Sequence, residues 1–106
     1  MKIPIFPLNG AILFPKTNLP LNIFEERYIE MVDYSLSNNR IIGMVQQKES
    51  NGLYNVGCYG KITVFNETPD KRFLINLEGI SCFNIIKELD TKWKFRICEI
   101  EIFNNF

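Results

Sequence analysis

Four prolines within the first twenty residues, Pro4, Pro7, Pro15 and Pro20, constrain this chain more than any other feature. A proline ring fixes φ, removes the backbone donor and pushes the residue before it toward extended geometry. Set in Ile3-Pro4-Ile5-Phe6-Pro7-Leu8, Leu13-Phe14-Pro15 and Leu19-Pro20-Leu21, these residues exclude helix. Residues 3–24 therefore read as two short strands, with bends at Asn9-Gly10 and Pro15-Lys16-Thr17-Asn18.

A helix pattern begins abruptly afterwards. Tyr28, Met31, Val32, Ser35 and Leu36 recur at helical spacing and make one apolar face over 25–36. Glu25 and Glu26 occupy the first turn, where the helix dipole favours negative charge. Asn38-Asn39 is the expected stop, because asparagine tolerates left-handed backbone.

The remainder reads as sheet. Ile41-Ile42-Gly43-Met44-Val45 is a short apolar run suited to a buried strand, and 47–55 is a polar loop. From Val56 the period becomes two, with Val56, Cys58, Ile62 and Val64 on one face and Tyr59, Lys61, Thr63 and Phe65 on the other. Thr68-Pro69-Asp70-Lys71 is a turn, so 56–77 is a hairpin. Gly79 marks a bulge or sharp bend. A second hairpin joins 81–87 to 94–103, and its last strand slips phase between Ile97 and Cys98, which needs a bulge or burial on both faces. Ala11 is the only alanine, and a chain rich instead in β-branched and aromatic residues leans toward sheet. The fold expected is mainly β (α+β): a small curved barrel of about six short strands with one α-helix against its side.

The chemistry is bounded by what the chain lacks. It has no histidine, which excludes Ser-His-Asp and Cys-His nucleophile systems within it and the usual zinc and non-haem iron ligand sets. Cys58, Cys82 and Cys98 are odd in number and widely spaced, which reads as reduced thiols in a cytoplasmic protein, serving as small core residues. No neighbouring cation or helix start marks any of them as reactive. Twelve basic and twelve acidic residues balance, so no global field draws the chain to nucleic acid or to an anionic membrane. No signal peptide or membrane-spanning run is present. No phosphate loop, metal motif or cofactor motif appears.

The segments Ile3-Pro4-Ile5-Phe6-Pro7-Leu8, Leu13-Phe14-Pro15, Leu19-Pro20-Leu21-Asn22-Ile23-Phe24-Glu25-Glu26-Arg27-Tyr28, Ile42-Gly43-Met44-Val45, Val56-Gly57-Cys58, Gly60-Lys61-Ile62, Pro69-Asp70-Lys71-Arg72 and Leu77-Glu78-Gly79-Ile80 occur in one order along nearly the whole chain. In that order they resemble the N-terminal domain of Lon proteases. The resemblance implies a PUA-like pseudobarrel over 1–106, without the helical subdomain into which the family domain usually continues. It implies a non-catalytic domain that helps recognise protein substrates, with ATPase and peptidase modules supplied in cis or in trans. Three departures stand out. The family commonly has His where this chain has Asn22, Gly where it has Lys71, and Arg where it has Cys82; Asn84 also replaces a common basic residue.

Two sets of candidate residues follow. Phe14, Pro15, Leu19, Pro20 and Leu21 are candidates for a surface that receives unfolded or exposed apolar polypeptide, with core burial of Phe14, Leu19 and Leu21 as the bland reading. Glu25, Arg27, Tyr28, Glu78 and Gly79 form a structural motif, in which Arg27 would orient the helix and Glu78 is its candidate partner. The alternative reading, an RNA- or nucleotide-binding PUA-like domain, would need Lys61, Lys71, Arg72, Lys92, Lys94 and Arg96 to gather on one side. The apolar end, Ile100 to Phe106, is expected to be exposed and to favour self-association.

Overall fold

In the computed structural model, which describes residues 1–103, one long strand closes the sheet on itself. The elements in order are β1 (Lys2–Pro7), β2 (Asn18–Ile23), α1 (Glu26–Leu36), β3 (Ile41–Gln47), a 3-10 turn at Glu49–Asn51, β4 (Leu53–Glu67), β5 (Phe73–Leu89) and β6 (Arg96–Ile102). The sheet order is β2-β5-β4-β3-β1-β6, and β5 also pairs with β6. Thus β5, β4, β3, β1 and β6 form a closed ring, with β2 attached outside it. β5 serves both partners: Phe73–Glu78 pair with β2, while Phe83–Leu89 pair with β6. β1 and β3 run parallel, and β2 and α1 provide the crossover that a parallel pair requires.

Closure creates two cores, one on each side of the same strands. The lumen holds Ile3, Ile5, Val45, Tyr59, Phe83, Cys98 and Ile100. The outer core, beneath α1, β2 and the β1–β2 loop, holds Phe6, Leu13, Ile23, Tyr28, Met31, Val32, Met44, Cys58, Leu77 and Ile97, among others. Successive residues on a strand point to opposite faces. So Ile5 and Phe6, Met44 and Val45, Cys58 and Tyr59, and Ile97 and Cys98 divide between the two cores. The phase slip in β6 therefore reflects burial on both faces. The accompanying bulge lies in the partner strand, where the register shifts between Ile85 and Lys87.

Several expectations need correcting. Val64 does not share the face of Cys58 and Ile62, because the register shift between Ile62 and Val64 breaks the alternation there; Val56 does share it but lies exposed. The bulge expected at Gly79 is present, with Ile80 as its extra residue between Gly60↔Gly79 and Tyr59↔Ser81, but β5 runs on through it as one strand where two were expected. The left-handed residue after α1 is Arg40 (φ 64°), not an asparagine. Asn38 instead donates its side-chain amide to Tyr34 O at 2.6 Å. The polar loop after β3 is shorter than expected, since β4 already begins at Leu53. Ile100 is buried in the lumen; only Ile102 of the described terminal residues is an exposed large apolar side chain, and the rest of the expected apolar end, 104–106, lies outside the described residues.

Lys71 sits in the left-handed region of the turn between β4 and β5. It has φ 65°, backbone that a glycine adopts freely and a lysine only at some cost. The turn is held by Lys71 N donating to Thr68 O (3.0 Å) and Arg72 N donating to Thr68 Oγ1 (3.0 Å).

Candidate functional site

The β1–β2 loop is pinned along its length, and this fixes the shape of the surface beside it. Leu8 N donates to Val45 O (3.1 Å), Gln47 N to Asn9 Oδ1 (3.2 Å) and Gln46 Nε2 to Ala11 O (3.1 Å). Farther on, Thr17 Oγ1 donates to Phe14 O (2.7 Å) and closes a tight turn in which Lys16 has φ 67°. The turn is then sewn to β5: Lys16 N donates to Gly79 O (2.9 Å) and Gly79 N to Thr17 O (2.8 Å). Gly79 has to be glycine here, since a Cβ would stand 1.9 Å from Phe14 O. Leu13 anchors the loop in the outer core, and its Cδ2 would lie 2.9 Å from a Cβ on Gly60.

Between this loop and the outer face of β3, β4 and β5 runs a groove of about 220 Å³. Its wall is Ala11, Ile12, Leu13 and Phe14; its floor includes Met44, Gln46, Val56, Cys58 and Cys82. None of the residues lining it carries a charge at neutral pH. Ile12 is 61% exposed and Phe14 58% exposed, so two large apolar side chains stand at its lip in water. Burial pushes the Cys58 thiol up to about 11, with neighbouring Cys82 adding to the shift, so this thiol stays protonated at neutral pH. A preformed, uncharged groove of this kind binds by removing apolar surface from water. It offers no nucleophile–base pair.

Of the residues singled out from sequence, Phe14 lines this groove and Pro15 is half-buried in the turn beside it. Leu19 and Leu21 lie half-buried on β2 against the outer core, and Pro20 between them is exposed. The five candidates thus do not form one surface: Leu21 lines a separate groove of about 240 Å³ with Phe6, Leu8, Phe24 and Tyr28. β2 pairs only with β5, and Pro20 removes a donor from this edge strand, which hinders addition of a further strand. Ile12, Met44, Val56, Cys58 and Cys82 were missed. The apolar run Ala11-Ile12-Leu13-Phe14 between two bends was the available signal, since only Leu13 of the four is buried.

Arg27 does not pair with Glu78. Its Nε donates to Glu25 Oε2 at 3.0 Å, and the guanidinium lies 4.7 Å from the centre of the Tyr28 ring. Glu78 is exposed on β5, opposite Asn18 and Lys61. The reason is local: two residues apart at the helix start, Glu25 and Arg27 meet without any long-range approach. Exposed pairs of this type contribute little. Arg27→Ala is therefore expected to change the unfolding free energy by less than about 1 kcal/mol in a denaturant titration. A larger loss would show that the pair organises the helix start. Among the basic residues weighed for RNA, Arg72 pairs with Asp70, Lys94 with Glu26 and Arg96 with Glu88. Lys94, its pKa raised mainly by its hydrogen bond to Glu26, also donates its backbone N–H to Glu30 Oε1 (2.8 Å), tying the β5–β6 loop to α1.

Residues 2–105 match the family model described as the ATP-dependent protease La (LON) substrate-binding domain. The chain belongs to this family. Among similar proteins, the Lon protease of Dictyoglomus thermophilum is 29% identical over 100 residues, covering 89% of this chain and 13% of that protein. The Lon protease of Buchnera aphidicola subsp. Schizaphis graminum is 26% identical over 111 residues, covering 96% of this chain and 14% of that protein. This LON domain chain thus spans about an eighth to a seventh of the length of these relatives. Two solved structures share its fold. A Lon N-terminal domain protein from Xanthomonas campestris superposes with a TM-score of 0.81 at 20% identity, over 96% of this chain and 59% of that one. The N-terminal domain of a Mycobacterium avium complex Lon protease gives 0.82 at 11% identity, over 100% and 56%. The mainly β barrel expected from the sequence is the architecture found, with six strands and one α-helix among the described residues. No helix among the described residues is long and apolar enough to cross a membrane.

Proposed function

We propose that this chain is a non-catalytic polypeptide-binding module that engages exposed apolar segments of unfolded proteins through the groove beside Ile12 and Phe14. The observation that carries the reading is an uncharged groove whose wall is fixed by backbone hydrogen bonds while its two largest lip residues remain in water. A wall held in place before binding loses little entropy when a client docks. Folded proteins hide their apolar segments, so selectivity for unfolded chains follows from burial alone. Residues 1–106 serve in this reading as the barrel part of a LON domain. In this reading the domain selects clients for ATP-dependent protease modules joined to it in cis or recruited in trans. The setting is cytoplasmic, in keeping with three unpaired cysteines.

Titration with a permanently unfolded client and its folded counterpart tests the reading. Binding is expected for the unfolded form only. Burying Ile12 and Phe14 fully is worth on the order of 1.5–3 kcal/mol each before binding costs. The double substitution Ile12→Ser, Phe14→Ser is therefore expected to weaken binding by about tenfold or more while leaving the melting temperature nearly unchanged. Equal affinity for folded and unfolded forms, or unchanged affinity in the double variant, would defeat the assignment.

A further inference from the structure

Three strands set two thiols side by side in the floor of the groove. The register places Met44, Cys58 and Cys82 directly opposite one another on β3, β4 and β5. Directly opposed side chains leave a sheet on the same face, with Cα atoms about 4.5–5.5 Å apart. A disulfide spans about 4.4–6.8 Å between Cα atoms, so the backbone need not move to bridge them. Cys82 is also one of the neighbours that push the Cys58 thiol pKa up, after burial itself. Cys82 is half-exposed in the groove, whereas Cys58 is buried beneath it. Cys98 sits in the lumen, on the opposite side of the sheet.

We propose that Cys58 and Cys82 form a thiol–disulfide site, which small disulfides of the glutathione type oxidise to a covalent staple across β4 and β5. The accessible Cys82 acts first. Its thiolate attacks one sulfur of the small disulfide, forming a mixed disulfide and expelling one small thiolate. Cys58 then loses its proton, and its sulfur attacks Cys82 Sγ, forming the Cys58–Cys82 bond and expelling the second thiolate. One S–S bond breaks in the oxidant and one forms in the protein. The two protons given up by the cysteines leave with the two released thiols. Burial disfavours the Cys58 thiolate, which slows this second step and leaves the accessible Cys82 to react first; the intramolecular approach offsets part of that cost. An excess of small thiol reverses the sequence. The site stands independently of what the groove binds.

The staple closes the chain between residues 58 and 82 and restricts the unfolded state. After full reduction, the folded wild-type protein is incubated with oxidised glutathione, quenched, alkylated under denaturing conditions and mapped by mass spectrometry. The expected result is a peptide pair joined through residues 58 and 82, with Cys98 alkylated, fully reversed by dithiothreitol. Cys98→Ser is expected to keep the link, and Cys58→Ser to retain a glutathione adduct on Cys82. The oxidised form is expected to melt roughly 10 °C higher than the reduced form. Alkylated Cys58 and Cys82, a link that includes Cys98, a link between two copies of the chain, or an oxidised form that melts no higher would each overturn the proposal. The map reads the unsubstituted chain, so the test stands even where a variant does not fold.

Discussion

Phe83→Ala is expected to destabilise the protein by about 3–5 kcal/mol, the range for truncating a fully buried aromatic side chain. Phe83 has no exposed surface and fills the barrel lumen, with Tyr59 at a ring-centre distance of 6.5 Å. The strands around it have made room for the ring. A Cβ on Gly43 would stand 3.0 Å from Phe83 Cζ and 2.7 Å from Ile3 Cδ1; one on Gly57 would stand 2.9 Å from the same ring atom. A lumen closed by hydrogen bonds on all sides cannot collapse to fill the void, so the cavity cost should lie toward the upper end of the range. Small domains have only about 5–15 kcal/mol in total. Urea titration followed by circular dichroism should show the midpoint fall by a large fraction of its value or the variant fail to accumulate. A loss below about 1.5 kcal/mol would mean that the lumen repacks and that Phe83 is not its keystone.

Gly79→Ala is the second large effect. The added methyl would meet the Phe14 carbonyl oxygen at 1.9 Å, a contact with backbone that no rotamer change relieves. Either the Phe14–Thr17 turn lifts off β5, losing the Lys16–Gly79 and Gly79–Thr17 hydrogen bonds, or β5 bends away from it. We expect a loss of about 2–4 kcal/mol and, through the displaced Phe14 wall, weaker binding of unfolded clients. The two readouts separate the causes. Gly60→Ala also crowds this region, at 2.9 Å from Glu78 O and Leu13 Cδ2, but leaves the turn's hydrogen bonds to Gly79 in place. It should therefore destabilise with less effect on binding. A Gly79→Ala protein with wild-type stability and wild-type client affinity would remove the loop from the account of the site.

These two glycines show how far the sequence could be read. Gly79 stood out as a bend or bulge, and a bulge is present, yet its need for hydrogen rests on a carbonyl 65 residues earlier in the chain. Local signals carried the elements well. The prolines enforced extended backbone around Pro4 and Pro20, the Tyr28-Met31-Val32-Ser35 spacing gave the helix face, and the Thr68–Lys71 turn fixed the hairpin. The candidate site was legible only in part. Phe14 lies in the groove, but Leu19 and Leu21, which share its apolar, proline-rich context, turn inward on β2. Arg27 looked like a long-range anchor and found a partner two residues away instead.

The sequence by itself determined where the chain is extended, where it turns and where its one helix lies, because φ restriction, periodicity and turn chemistry act over a few residues. It also ruled out histidine-dependent chemistry. Only the tertiary structure decided that both faces of the strands are buried, that Cys58 and Cys82 are neighbours, and that Ile12 and Phe14 border an uncharged groove. Those facts follow from ring closure by β5 and from strand register, which join residues far apart in the chain, and no local pattern specifies them.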